Sequence, residues 1–387
     1  MQAVNGIDRE MRGKAISDLK EQVERLGPHE YKVNSQSGNG KYQVLRTELG
    51  WRCSCPDHVF RDVKCKHIWA VEFSNKLRLE VQKNIVIEPV LKINECPRCR
   101  SPFIVKHGIQ HNKYSDLQTY SCKKCNRRFV VNLGFEKMKA SPQIITSAMQ
   151  LYFTGESLRS VQKFLSLQGV NVGHVTIYRW IGKYVKLMEK YLEQVKPQLS
   201  GTWRADELYV KMKGNQKYLF ALMDDQTRFW IAQQIADNKG TSDVRPMFKE
   251  GAEIAGKRPD QVITDGARNF QEAIHKEYWD KAKSIRTVHT RDIRLDGKVH
   301  NNKMERMNGE LRDREKVMRG LKEENTPILT GMQIFHNYFR PHEGLKGKTP
   351  AQASGIEIEG SNKWITLIEN AAMSERETKR RSGVVSS

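Results

Sequence analysis

All seven cysteines of this 387-residue chain lie between residues 53 and 125, and they fall into two groups. An odd number of thiols argues against a disulfide framework. The spacing points to metal instead. Cys96-Pro-Arg-Cys99 and Cys122-Lys-Lys-Cys125 are two CxxC knuckles with 22 residues between them. Each knuckle offers two thiolates from one tight turn, and two turns complete a tetrahedral Zn²⁺ site. Strand-like text surrounds them: FIVKHG, LQTYSC and RRFVVN. The other three cysteines need a fourth ligand. Cys53-Ser-Cys55 is followed, after nine residues, by Cys65-Lys-His67. His67 completes a Cys₃His set. His58 competes for that place but lacks the fixed relation to Cys65. With both sets counted, no cysteine is left over. Four good ligands leave no open coordination position, so both zincs are read as structural. Bound zinc supplies on the order of 10 kcal/mol of folding free energy to modules too small for a large core.

The double-knuckle pattern is that of a zinc ribbon. The CxC followed by CxH resembles the SWIM-type zinc finger, over about residues 30–73. In that finger a β-hairpin carries the CxC and a helix begins at the CxH. The preceding YKVNSQSGNGKYQVLRTELGW alternates around an SGNG turn, as a hairpin should.

Charge narrows the partners. Lys and Arg number 66 against 45 Asp and Glu, a net charge of +21. Residues 1–200 hold 33 basic and 18 acidic groups, and residues 201–387 hold 33 and 27. A compact chain with such an excess repels itself unless a polyanion lies nearby. No apolar run approaches the roughly 20 residues needed to span a bilayer. The N-terminus has no apolar stretch of a secretory signal. The expectation is an intracellular protein that meets nucleic acid, cytoplasmic and associated with the nucleoid in a prokaryote, with no membrane partner.

Residues 141–195 read as three helices with a break from Gly169 to Gly173. The middle one places Leu158, Val161, Phe164 and Leu165 at helical spacing. The third starts near Thr176 and carries Ile177, Trp180, Ile181 and Tyr184 on an apolar stripe. Thr176, Tyr178, Arg179 and Lys183 are its candidate DNA contacts, as on a recognition helix that enters a major groove. The plainer reading is a helical connector with a solvated basic face.

From residue 201 the text changes to strands, WRADELYV, KYLFALM and RFWIAQQI, then helices alternating with VITDG and SIRTVHT. A long basic helix opens near Asn301 or Asn302, both good N-cap types. Three meandering strands followed by alternating helix and strand make a mixed α/β sheet, in the order of a ribonuclease-H-like fold. Asp206 is mid-strand and Asp265 ends a strand, where Gly266 lets the chain turn. A buried strand holds a carboxylate only at cost unless a partner or metal meets it. Glu305 lies about one turn into the long helix, and Arg312, Lys316 and Arg319 share its face.

The stretches WRADELYVKMKG, VITDG, NNKMERMNGELRDREKVMRG and FHNYFRPHEGLKGKTPAQASG together resemble the catalytic domain of insertion-sequence DDE transposases, over about residues 201–356. The resemblance implies a catalytic triad of Asp206, Asp265 and Glu305 that holds two Mg²⁺ or Mn²⁺ ions. Asp206 would bridge both ions, and the other two would each hold mainly one. Glu310, Asp292 and Asp296 are rivals of Glu305. Arg312, Lys316 and Arg319 are candidate phosphate contacts, with Lys211, Lys213 and Arg268. It further implies double-stranded DNA partners, both element ends and target, and a homo-oligomer, a dimer at least.

The expected organisation is multidomain: small zinc-bound α+β modules, a helix-turn-helix segment and an α/β ribonuclease-H-like catalytic domain. The boundaries are 1–80 for an N-terminal helix and the SWIM-type finger, 90–135 for the ribbon, 140–196 for the helix-turn-helix segment, and 200–356 for the catalytic domain. Residues 373–387 are expected to be a disordered basic tail. The expected function is metal-dependent cleavage and transfer of DNA strands at element ends. The alternative is a non-catalytic zinc-containing DNA-binding regulator derived from a transposase.

Overall fold

A computed structural model describes the chain except for residues 1, 20, 28, 39, 48–49, 81–83, 91–94, 131, 280–285, 292–300, 319–320, 322–325 and 382–387. In chain order the first elements are α1 (Gln2–Ser17), β1 (Val23–Arg25), β2 (Glu30–Asn34), β3 (Lys41–Thr47), β4 (Gly50–Cys53), α2 (Pro56–Arg61), α3 (Lys66–Glu80) and β5 (Ile85–Ile87). Next come β6 (Ile104–Asn112), β7 (Ser115–Cys122), β8 (Arg128–Val130), α4 (Pro142–Thr154), α5 (Leu158–Leu167) and α6 (His174–Leu192). The second half holds β9 (Thr202–Met212), β10 (Asn215–Asp224), β11 (Trp230–Ala236), α7 (Thr241–Ala255), β12 (Gln261–Thr264), α8 (Arg268–Tyr278), β13 (Val288–Arg291) and α9 (Asn302–Met318). It closes with α10 (Pro327–Ile334), α11 (Pro350–Ala353), β14 (Ile356–Ile358) and α12 (Lys363–Arg381).

The chain divides into two compact units that cut across the expected boundaries. One comprises residues 1–83, 197–210 and 215–310, and the other 84–196, 211–214 and 311–387.

In the first unit, β1 to β4 form an antiparallel sheet in sequential order. Tyr31, Val33 and Val44 of that sheet share a core with Ile16 of α1 and Ile68 and Val71 of α3. A five-stranded sheet follows in the order β11-β10-β9-β12-β13. β10 and β11 are antiparallel, and β12 runs parallel to both β9 and β13. This is the ribonuclease-H-like order expected from the sequence. Lys213 and Gly214, at φ 50° and 86°, make the two-residue turn between β9 and β10; positive φ at both positions matches the right-handed twist of a hairpin. The β10–β11 turn is fixed by Asp224, which is fully buried. Its carboxylate accepts hydrogen bonds from Ser200 N and Oγ and from Thr227 N and Oγ1. Helices α7 and α8 cover the sheet through Phe248, Phe270 and Tyr278, whose rings meet edge to face with one another and with Trp203 and Phe220. The finger sheet meets the starts of β12 and β13. Arg25 pairs with Asp260 at 3.5 Å, Arg46 donates to Gln261, and His29 Nε2 lies 2.8 Å from the Arg286 carbonyl.

In the second unit, β6, β7 and β8 form a three-stranded antiparallel sheet. Ser141 and Ser157 cap α4 and α5 by accepting from Ile144 N and Ser160 N. Val161, Leu165, Ile177, Trp180, Ile181 and Tyr184 are buried, as their spacing predicted, whereas Phe164 is exposed. β5 and β14 pair in parallel. Of the expected tail, residues 373–381 continue α12, and residues 382–387 lie outside the described residues. Trp364, Leu367, Ile368 and Ala371 bury one stripe of that helix, and ion pairs Lys379–Glu375 and Arg376–Glu136 support its polar end.

Candidate active site and metal centres

The register of two parallel strands builds the acidic site. Ile263 on β12 stands opposite Arg204 on β9. Two residues further along each strand come Asp206 and Asp265, so pairing brings them abreast. Gly266 sits at φ 92°, and a Cβ there would press on the Arg291 side chain at 3.3 Å; glycine permits the turn that ends β12. Asp265 Oδ1 accepts from Ala267 N at 3.0 Å, which orients its carboxylate. Thr264 Oγ1 lies 2.8 Å from His289 Nε2, and burial holds that imidazole down at about 4. His289 is thus a neutral partner within the sheet.

Asp206, Asp265 and a third carboxylate converge, each offering an oxygen within 4.8 Å of the others. The third is Glu207, which the sequence reading missed. Alternation along a strand assigns it to the face opposite Asp206. But β12 ends at Thr264, so β9 has an open flank at this point, and the longer glutamate reaches the same place. Glu207 Oε2 is buried without a hydrogen-bond partner among the described residues. Burial, then the charges of Asp265 and Asp206, push its carboxyl up to about 7. Oxygen donors crowded this closely suit hard divalent cations. The donor set fits such ions.

Glu305 lies in the first turn of α9 and is exposed; it is not part of this group. Asn301 starts the helix, its carbonyl accepting from Met304 N and Glu305 N at 2.9 and 3.1 Å. Lys303 Nζ and Arg204 Nε both bind Asp225 Oδ1, at 2.7 and 2.5 Å, which ties the helix start to the sheet. Three residues past Glu305, on the same flank, Asn308 Nδ2 donates to Asp206 Oδ2 at 2.8 Å. Glu310 is also outside the acidic group, and Asp292 and Asp296 lie outside the described residues. Arg312 and Lys316 are exposed, and Lys316 pairs with Asp313 at 2.9 Å. Arg319 falls outside the described residues. Lys211 and Lys213 are exposed, and Arg268 pairs with Glu272 at 2.8 Å.

Both cysteine sets are assembled. Beside the β1–β4 sheet, Cys53, Cys55, Cys65 and His67 are buried, with donor atoms within 4.8 Å of one another. His67 Nδ1 lies 3.9 Å from the sulfurs of Cys53 and Cys65. His58 instead points its Nδ1 at the Val63 carbonyl, 2.8 Å away. The hydrogen bond between Cys53 and Cys65 draws Cys65 down to about 4 and pushes Cys53 up. In the ribbon, Cys96 and Cys125 are 3.7 Å apart, and Cys99 and Cys122 are 3.5 Å apart. The Cys125 backbone N–H draws Cys122 down to about 6. Thiolates bound at about 2.3 Å around one tetrahedral ion stand about 3.7 Å from each other. The donors in both sets fit a four-coordinate ion.

On α6, Arg179 and Lys183 are exposed, while Thr176 and Tyr178 are half-buried. His342, in the RPH stretch, is buried, with its ring edge-on to His336 at 4.7 Å.

A ribonuclease-H-like sheet with aspartates on adjacent strands defines the class. Residues 200–342 match the family described as DDE domain, and this segment is a DDE domain of the insertion-sequence transposase kind. The chain is 27% identical over 146 residues to the transposase for insertion sequence-like element IS431mec of Staphylococcus aureus, covering 37% of this chain and 63% of that protein. It is 26% identical over 172 residues to the insertion element ISM1 uncharacterized 48.3 kDa protein of Methanobrevibacter smithii, covering 41% and 42%. Among solved structures, the HTLV-2 integrase catalytic core domain in complex with magnesium is 15% identical, with 41% of this chain and 97% of that chain covered and a TM-score of 0.29. Among the described residues, no helix is long and apolar enough to cross a membrane.

Proposed function

We propose that the chain is a DDE transposase that binds the ends of a DNA element and catalyses strand cleavage and strand transfer. The observation that carries this reading is the convergence of Asp206 and Asp265 from neighbouring parallel strands, with Glu207 beside them and oxygens within 4.8 Å. Asp206, Asp265 and Glu305 are assigned as ligands of Mg²⁺ or Mn²⁺. Two such ions supply activation of the attacking oxygen and stabilisation of the leaving 3′-oxygen. Asp206 and Asp265 come from rigid strands and fix the site. Glu305 is assigned from the first turn of α9, whose start is tied down through Lys303. No covalent protein–DNA bond is required.

The Cys53–His67 and Cys96–Cys125 sets are assigned as structural zinc sites. Helices α5 and α6 are assigned as the helix-turn-helix, with Thr176, Tyr178, Arg179 and Lys183 toward DNA. Arg312, Lys316 and Arg319 are assigned to phosphates. The DNA partners are duplex element ends and target, held by an assembly of at least two copies.

The test is strand transfer on terminal DNA with Mg²⁺ or Mn²⁺, comparing wild type with Asp206→Asn. Joined product from wild type and none from the variant supports the reading. Equal product from both removes the catalytic assignment. Tight specific binding without any product from wild type supports the regulator instead.

A further inference from the structure

Asn308 occupies an unusual place on α9. It is 2% exposed and lies among the helix's buried apolar residues, Met304, Met307 and Leu311. Its amide Nδ2 donates to Asp206 Oδ2 at 2.8 Å, while the other oxygen, Oδ1, accepts from Glu207 N at 3.0 Å. A carboxylate only accepts, so the amide must turn its nitrogen toward it.

We propose that Asn308 is a positioning residue for ion binding: its side-chain amide holds Asp206 in the orientation that presents both oxygens to divalent cations. The inference rests on the assignment of Asp206 as an ion ligand. Its logic is one of charge. Three carboxylates within 4.8 Å repel one another, and the hydrogen bonds that Asp206 accepts from Asn308 Nδ2 and Glu207 N oppose that repulsion. An arginine or lysine at position 308 would hold the carboxylate but neutralise the charge that a cation needs. A neutral amide orients it and leaves that charge in place. The bond is also imposed by the fold. The Lys303–Asp225 and Arg204–Asp225 pairs fix the start of α9, and Met304, Met307 and Leu311 are buried beside Asn308. The same attachment sets the height of Glu305, one turn earlier on that flank.

The test measures Mn²⁺ binding to the full chain without DNA, by calorimetry and by the Mn²⁺ paramagnetic resonance spectrum. Wild type is compared with Asp206→Asn, Asn308→Leu and Asn308→Ser. Leucine keeps the volume and removes the donor, whereas serine keeps a donor and loses volume. Positioning through the hydrogen bond predicts that Asn308→Leu weakens Mn²⁺ about 10-fold or more, with zinc content unchanged, and that Asn308→Ser binds more tightly than Asn308→Leu. Wild-type affinity in Asn308→Leu overturns the proposal. So does the reverse order of the two variants, which is the signature of packing alone. Should Asn308→Leu not fold, Asn308→Ser binding no better than Asp206→Asn overturns it as well. Asp206→Asn is the separate control: full Mn²⁺ affinity there removes the ligand assignment itself.

Discussion

Glu369 on α12 is 4% exposed, and burial pushes its carboxyl up to about 7 from an ordinary 4.5. Below pH 4.5 the group is protonated in both folded and unfolded chains and costs nothing. As pH rises above 4.5 the unfolded chain releases the proton while the folded chain keeps it, so stability falls. Above pH 7 the loss is complete. At about 1.4 kcal/mol per pKa unit, it reaches roughly 3 kcal/mol. Glu369→Gln keeps the shape and removes the titration. Between pH 5.5 and 8.5 the advantage of the variant should therefore grow by about 2 kcal/mol. At about 2–4 °C per kcal/mol for a unit of this size, the difference in Tm between variant and wild type should widen by roughly 4–8 °C. Thermal unfolding followed by circular dichroism across that range reads it directly. A Tm difference that stays flat with pH, or that narrows as pH rises, refutes the reasoning.

Three further outcomes are expected. In Gly331→Ala the new methyl would run into the Phe153 ring and lie 2.9 Å from Val185 Cγ2. Overpacking of this kind costs about 1–3 kcal/mol, and an unchanged Tm contradicts the close approach. Arg314 is buried with its guanidinium 5.0 Å over the Tyr152 ring, and burial is the largest influence on it, drawing its basicity below the ordinary value. Arg314→Met should leave Tm unchanged or raise it; a clear fall in Tm would show that the charge is satisfied. Metal analysis should find two zinc ions per chain, one lost in Cys65→Ser and one in Cys99→Ser; a single ion in wild type would refute one of the two assignments.

The two clusters of cysteines and His67 were legible in the sequence because each set is built from two short local turns, and spacing alone records that. Asp206 and Asp265 were legible because strand text brackets them and Gly266 marks the turn. Glu207 was hidden by the alternation rule, which fixes the face on which its Cβ starts but not how far a long side chain reaches past the end of β12. The facing of Glu305 was hidden because the rotation of a helix about its axis depends on tertiary packing, which a run of polar residues with few apolar ones does not record. Asn308 reads as one more polar residue in a polar helix until β9 is placed beside it. The helix through Arg381 could have been read from the spacing of Trp364, Leu367, Ile368 and Ala371, but its basic composition suggested a tail.

The four residues of β12 span about 13 Å. At one end, Asp260 and Gln261 are gripped by Arg25 and Arg46 of the finger. At the other end the strand delivers Asp265. It works as a short strut, with the cysteine-rich module at its foot and an acidic oxygen at its tip. The module that gathers Cys53, Cys55, Cys65 and His67 and the carboxylate of Asp265 are thus joined through one short strand.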